Sequence, residues 1–212
     1  RSCQEVSNLS DAKFWDDVYS EKSLREVSWF TEELTISTEL IELLAPLKTA
    51  KIIDVGAGRS FLVDGLLQTG YKSVSIFDIS KEAVAQTRIR LKNCGLNSEA
   101  LVGNITNYDF GSKTYDLWHD RAVFHFLTER KLRDAYKYAV KKAVKKSGHV
   151  VMATFGPDGP STCSGLEVCK YCAEELAAEL GNGFDLLGSR YEIHSTPFNT
   201  EQQFLYCWFK LV

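Results

Sequence analysis

A short apolar run that ends in a glycine turn and feeds a helix constrains this chain more than anything else in it. Lys51–Gly56 reads K-I-I-D-V-G, and the turn continues A-G-R-S to Ser60. An unbroken apolar run closed by glycines predicts a strand buried on both faces, as parallel sheets require. Ser60–Thr69 then carries Phe61, Leu62, Leu66 and Leu67 on one helical face. Ser73–Asp78 predicts a second strand. Ser80 is placed to cap a helix that opens with Ala83 and Val84 and runs to about Asn93. Ala100–Gly103, Tyr115–Trp118 and Gly148–Phe155 predict three further strands, and Glu129–Lys146 an amphipathic helix with a basic face. Strands alternating with helices predict an α/β three-layer sandwich around a mostly parallel sheet.

The texture changes after the fifth strand. Cys172–Leu180 predicts a helix. Phe184–His194 and Gln202–Leu211, separated by S-T-P-F-N-T-E, predict an antiparallel C-terminal hairpin added at one edge. Ahead of the sheet, Ala12–Leu44 predicts one or two helices carrying Phe14, Trp15, Tyr19, Trp29 and Phe30. No repeat, low-complexity tract or Gly/Ser linker interrupts the chain. At 212 residues and about 150 per domain, one domain spanning 1–212 is expected. Residues 12–45 would form a helical lid and 50–212 the core.

Charge and composition narrow the partners. The balance of 25 Lys+Arg against 28 Asp+Glu leaves −3, which argues against nucleic-acid binding driven by bulk charge. No run approaches the roughly 20 apolar residues that cross a bilayer, so no membrane partner is expected. Arg1–Asn8 has no apolar signal core, and a start without Met is consistent with a removed leader or a trimmed chain. The six cysteines, Cys3, Cys94, Cys163, Cys169, Cys172 and Cys207, are scattered as reduced thiols would be, which favours a cytoplasmic address. Cys163, Cys169 and Cys172 are spaced C-x5-C-x2-C, but no fourth ligand is evident and no metal is expected. The Phe155–Gly165 loop, rich in glycine and proline, has the chemistry of a lid.

The glycine turn carries the first functional signal. Gly56 and Gly58 allow backbone to approach a ligand, and the following helix offers free N–H groups. Asp78 lies 20 residues after Gly58, a spacing that suits a carboxylate accepting from ribose hydroxyls. The turn departs from G-x-G-x-x-G, because Phe61 stands where the third glycine would be. Asp54 puts a negative charge beside the turn, which favours a cationic ligand over an anionic one.

Tyr115–Leu127, Y-D-L-W-H-D-R-A-V-F-H-F-L, carries the second. His119, Asp120 and Arg121 are expected at the carboxyl end of the fourth strand, where open α/β sheets bind ligands. In catalytic roles, His119 or His125 would accept a proton, Arg121 would hold an anionic nucleophile or a cofactor carboxylate, and Asp120 would orient either. His125 is expected within the following helix, facing inward if that helix starts near Ala122.

These stretches resemble motif I and the acidic motif II of class I S-adenosylmethionine-dependent methyltransferases, over roughly Phe14 to Val212. The resemblance implies a Rossmann-like, seven-stranded sheet whose final strand is antiparallel. It implies that Asp54 meets the methionine amine, directly or through water, and that Gly56, Ala57 and Gly58 pass close to the cofactor, with His119 beside them. Asp78, with Ile79 next to it, would take the ribose. Gly103, Asn104 and Ile105 would form the adenine loop, with Asn104 where most members have Asp. The Trp118–Arg121 segment is similar to the W-D-R run of thiopurine-type S-methyltransferases, and the N/D-P-P-Y motif of amine-modifying enzymes is missing. Phe14–Phe30 is similar both to those enzymes and to small eukaryotic lysine methyltransferases, in which it lids the cofactor. Trp15, Tyr19 and Trp29 are the candidate lid rings, since ring faces attract a sulfonium. The expected activity is methyl transfer to a small molecule, a thiol or another soft or anionic nucleophile, by a monomer. The alternatives are a protein lysine N-methyltransferase and a cofactor-binding protein without catalysis.

Overall fold

A computed structural model describes residues 12–212; Cys3 and the Arg1–Asn8 segment lie outside them. Five strands form the parallel part of one sheet: β1 (Lys51–Val55), β2 (Ser73–Asp78), β3 (Glu99–Val102), β4 (Tyr115–Arg121) and β5 (Val144–Phe155). A two-stranded ribbon, β6 (Thr162–Cys163) and β7 (Leu166–Glu167), stands apart from it. The hairpin strands β8 (Phe184–Ser195) and β9 (Glu201–Leu211) complete a seven-stranded sheet of order β3-β2-β1-β4-β5-β9-β8. β9 runs antiparallel to both β5 and β8, so the hairpin occupies the edge the sequence assigned it.

Helices cover both faces. Against one lie α1 (Ala12–Glu21), α2 (Thr35–Leu44), α3 (Leu62–Gln68) and α4 (Lys81–Asn93), packed on Ile52, Ile76, Leu117 and Val151. Against the other lie α5 (Arg130–Ala143) and α6 (Ala173–Leu180), packed on Ile53, Phe77, Trp118 and Met152. Successive strand residues alternate between these two cores because the side-chain period of a strand is two.

Three boundaries differ from expectation. α5 ends at Ala143 rather than Lys146, because the β-branched Val144 pairs with Tyr115 and begins β5 at once. β4 runs on to Arg121 rather than ending at Trp118, so His119 to Arg121 are strand residues with alternating faces. His125 sits in a short 3-10 turn, Phe124–Phe126, ahead of α5. The Ser80 cap is as expected: its hydroxyl accepts the Ala83 amide at 3.1 Å.

Ser80 also fixes the N-terminal segment. Its hydroxyl donates to Asp16 Oδ1 at 2.7 Å, which brings α1 against the start of α4. Arg59, from the glycine turn, donates to the backbone oxygens of Tyr19, Lys22 and Ser23. One guanidinium thereby satisfies carbonyls that the end of α1 leaves without partners.

Candidate active site

A cleft of about 720 Å³ opens at the carboxyl ends of β1, β2 and β4 and is covered by α1. A second lobe of about 560 Å³ adjoins it; Tyr19, Trp29, Gly56 and Arg121 line both.

The glycine turn is shaped by what presses on it. Gly56 and Gly58 have φ of +65° and +51°, a region that side chains disfavour. A Cβ on Gly56 would lie 2.0 Å from Val123 Cγ2, and one on Gly58 would lie 2.5 Å from the Tyr19 hydroxyl. Ala57 between them is buried, its amide bonded to the Phe77 carbonyl at 3.1 Å.

Asp78 braces that turn. Its Oδ2 accepts the Gly58 amide and its Oδ1 the Ser80 amide, both at 2.8 Å. Burial pushes its carboxyl up to about 6, against the pull of these hydrogen bonds. The Gly103 amide donates to the Asp78 carbonyl at 3.0 Å, which brings the loop after β3 to the same wall. There Asn104 turns its Oδ1 back to the Thr106 amide at 2.9 Å and the Thr106 hydroxyl at 2.8 Å. Ile79 and Ile105 add apolar surface beside it. Trp15, Tyr19 and Trp29 form one cluster over the cleft, with Trp15 and Trp29 centroids 6.1 Å apart.

The sequence grouped His119, Asp120 and Arg121; the structure divides them. Asp54 and His119 are register partners on adjacent strands, so their side chains share a face. His119 Nδ1 lies 2.7 Å from Asp54 Oδ1 and Nε2 lies 2.9 Å from the Ser37 hydroxyl. Both ring nitrogens are engaged, which corrects the expectation of a free proton acceptor. Asp54 Oδ2 is buried without a hydrogen-bond partner.

Asp120 points to the opposite face, as strand alternation requires. It accepts the Val123 amide at 2.9 Å, the Phe124 amide at 3.2 Å and the Tyr136 hydroxyl at 2.5 Å. It orients neither neighbour; it anchors the turn after β4. Burial raises its carboxyl to about 6. His125 is fully buried between Phe126 and Phe155 and accepts the Phe155 amide at 3.3 Å. Burial lowers its imidazole to about 3, so it stays neutral and lies outside both lobes rather than serving as the proton acceptor first expected.

Arg121 does face the cleft. Its Nε donates to the Tyr206 hydroxyl at 3.1 Å and its Nη1 to the Trp29 carbonyl at 3.2 Å, and the guanidinium lies 4.2 Å from the Phe204 ring centroid. Its Nη2 is buried, 4.0 Å from Glu192, without a hydrogen-bond partner. Three further residues reach the site with no role expected of them from local pattern. Cys163 is carried to the cleft wall by the β6–β7 ribbon, its thiol pushed up to about 12 by burial. Ser37 and Tyr206 come from distant elements; only the inward phase of Tyr206 in β9 was open to inference.

Residues 52–148 match the family model described as a methyltransferase domain. Over that stretch the chain is similar to methyltransferase domains, and its fold is that of class I S-adenosylmethionine-dependent enzymes. No curated protein sequence matches it significantly. Among solved structures, the fold resembles a protein described for conversion of a disulfide bond into a thioacetal group during echinomycin biosynthesis. That pair has 17% identity and a TM-score of 0.76, with 95% of this chain and 92% of the other covered. It also resembles the Burkholderia thailandensis 1,6-didemethyltoxoflavin-N1-methyltransferase, solved with S-adenosylhomocysteine, at 16% identity and a TM-score of 0.67, covering 98% and 85%. The [4+2]-cyclase SpnF has the same fold at 12% identity and a TM-score of 0.71, covering 96% of each chain. At such identities the likeness establishes the fold, not the reaction.

The residues present suit S-adenosylmethionine, the cofactor that the sequence resemblance implies. Asp54 Oδ2 is an unpartnered buried anion for an ammonium group. The glycine turn leaves backbone exposed where a Cβ would intrude, and aromatic faces cover the cleft. Among the described residues no helix is long and apolar enough to cross a membrane.

Proposed function

We propose that this methyltransferase acts on a small anionic or soft nucleophile, such as a thiolate. The observation that carries the reading is the Arg121 guanidinium, 8% exposed, whose Nη2 has no hydrogen-bond partner and only a 4.0 Å ion pair with Glu192, in the cleft that Asp78 and Gly56 also line. A buried cation with an unused donor favours an anion at that point. When bound, S-adenosylmethionine supplies an electrophilic methyl group on a sulfonium.

The chain's own residues do the rest. Asp54 and Asp78 bind, Trp15, Tyr19 and Trp29 exclude water, and Arg121 orients the acceptor. Alignment and desolvation of this kind supply most of what an in-line displacement needs. Among the described residues, neither His119, His125 nor Asp120 presents a free base to the cleft. That favours an acceptor that ionises readily in solution or beside Arg121, as a thiol does.

The test is a transfer assay with tritiated cofactor against a panel of thiols, selenols, carboxylic acids and amines, run beside a cell lysate. Label on thiols or acids supports the proposal. Label confined to amines, or running with protein bands, overturns it; protein bands would favour the lysine-methyltransferase alternative.

A further inference from the structure

Ser37 enters no role assigned so far, yet it is fully buried and meets the one imidazole that touches Asp54. The hydrogen-bond inventory around it has a forced direction. Arg121 Nε has only a hydrogen to give, and it gives it to the Tyr206 oxygen at 3.1 Å. The Tyr206 hydroxyl is thereby occupied as an acceptor. The Ser37 hydroxyl lies 2.9 Å from His119 Nε2 and donates its hydrogen to it. Nε2 is thereby an acceptor, so the ring hydrogen sits on Nδ1 and goes to Asp54 Oδ1 at 2.7 Å. Asp54 as a carboxylate can only accept. The opposite direction, with Nε2–H donating to Ser37, would set an unprotonated Nδ1 against a carboxylate oxygen that has no hydrogen to give.

We propose that Ser37 is a positioning residue for the cofactor site. It fixes His119 as the neutral Nδ1–H tautomer and thereby holds Asp54 so that its unpartnered Oδ2 is kept for the ligand's ammonium group. The inference rests on the methyltransferase reading for its ligand. It rests only on the described hydrogen bonds for the tautomer.

The two parts are separable by experiment. Nitrogen-15 NMR of the histidine-labelled full chain without ligand reads the tautomer directly. The expected wild-type signal is an Nδ1–H ring with Nε2 in the acceptor range. Ser37→Ala should displace that Nε2 signal, and Ser37→Thr, which keeps a hydroxyl, should restore it. Calorimetry with S-adenosylhomocysteine should show binding roughly tenfold weaker in Ser37→Ala, and recovered in Ser37→Thr. An imidazolium or an Nε2–H tautomer in the wild-type chain overturns the proposal, whatever the variants do. So does an affinity unchanged in a folded Ser37→Ala. If S-adenosylhomocysteine fails to bind even the wild-type chain, the cofactor reading is what fails, while the NMR outcome still decides the hydrogen-bond chain.

Discussion

Asp78 Oδ2 holds the Gly58 amide at 2.8 Å, so the acid that ends β2 clasps the turn that ends β1. Burial sets its carboxyl at about 6, above the ordinary 3.8, and Asp120 stands in the same position on the other face. An acid with a raised folded value costs stability once it ionises. That cost is absent below about pH 4, grows between about pH 4 and 6, and is complete at neutral pH. For each group it is on the order of 3 kcal/mol. Ligand binding has the opposite slope, because the ionised carboxylate is the stronger acceptor for ribose hydroxyls. S-adenosylhomocysteine should bind roughly fourfold more weakly at about pH 5.5 than at about pH 7.5 if Asp78 must be ionised. Calorimetry at the two values checks this, and a flat profile removes Asp78 from ribose binding.

The contact between Gly58 and the Tyr19 hydroxyl makes a paired prediction. Gly58→Ala forces a Cβ to within 2.5 Å of that oxygen and places a side chain at φ +51°. It should destabilise the fold by about 2 kcal/mol and weaken ligand binding. Adding Tyr19→Phe removes the atom in conflict and should recover about half the loss, leaving the backbone cost. A double-mutant cycle by urea unfolding measures the coupling.

Asp120 tests whether a buried acid beside the cleft is structural. Asp120→Ala strands the Val123 and Phe124 amides and the Tyr136 hydroxyl. It should lower stability by about 3 kcal/mol, while in the remaining folded protein S-adenosylhomocysteine affinity stays within about twofold. A large loss of affinity at full stability would give Asp120 a direct part in binding instead.

Arg121→Ala should reduce turnover far more than cofactor affinity, by about a hundredfold or more for an anionic acceptor. Steady-state kinetics with calorimetry separates the two. Equal loss in both would make Arg121 a ligand of the cofactor.

What the sequence made legible was local. Lys51–Gly56, the Ser80 cap and the glycine-to-acid spacing each depend on residues close along the chain, and each appears where expected. The trio divides because adjacent strand residues face opposite ways: once β4 reaches Arg121, Asp120 must leave the company of His119 and Arg121. Nothing local pairs Ser37 with His119, since 82 residues separate them and only the docking of α2 on the sheet joins them. Cys163 read as incidental because a two-residue ribbon leaves almost no periodic trace. The family-like turn was therefore plain in advance, whereas the polar chain behind it was not.

β8 has a single neighbour in the sheet, and that neighbour is β9, which is synthesised after it. While a ribosome is still adding residues 196–200, the rim of β5 and the whole of β8 have nothing to pair with. Tyr206, the acceptor for Arg121, has yet to be made. A chain cut short before β9 would present bare strand rims at β5 and β8 and half a binding pocket, the state in which a chaperone would find it.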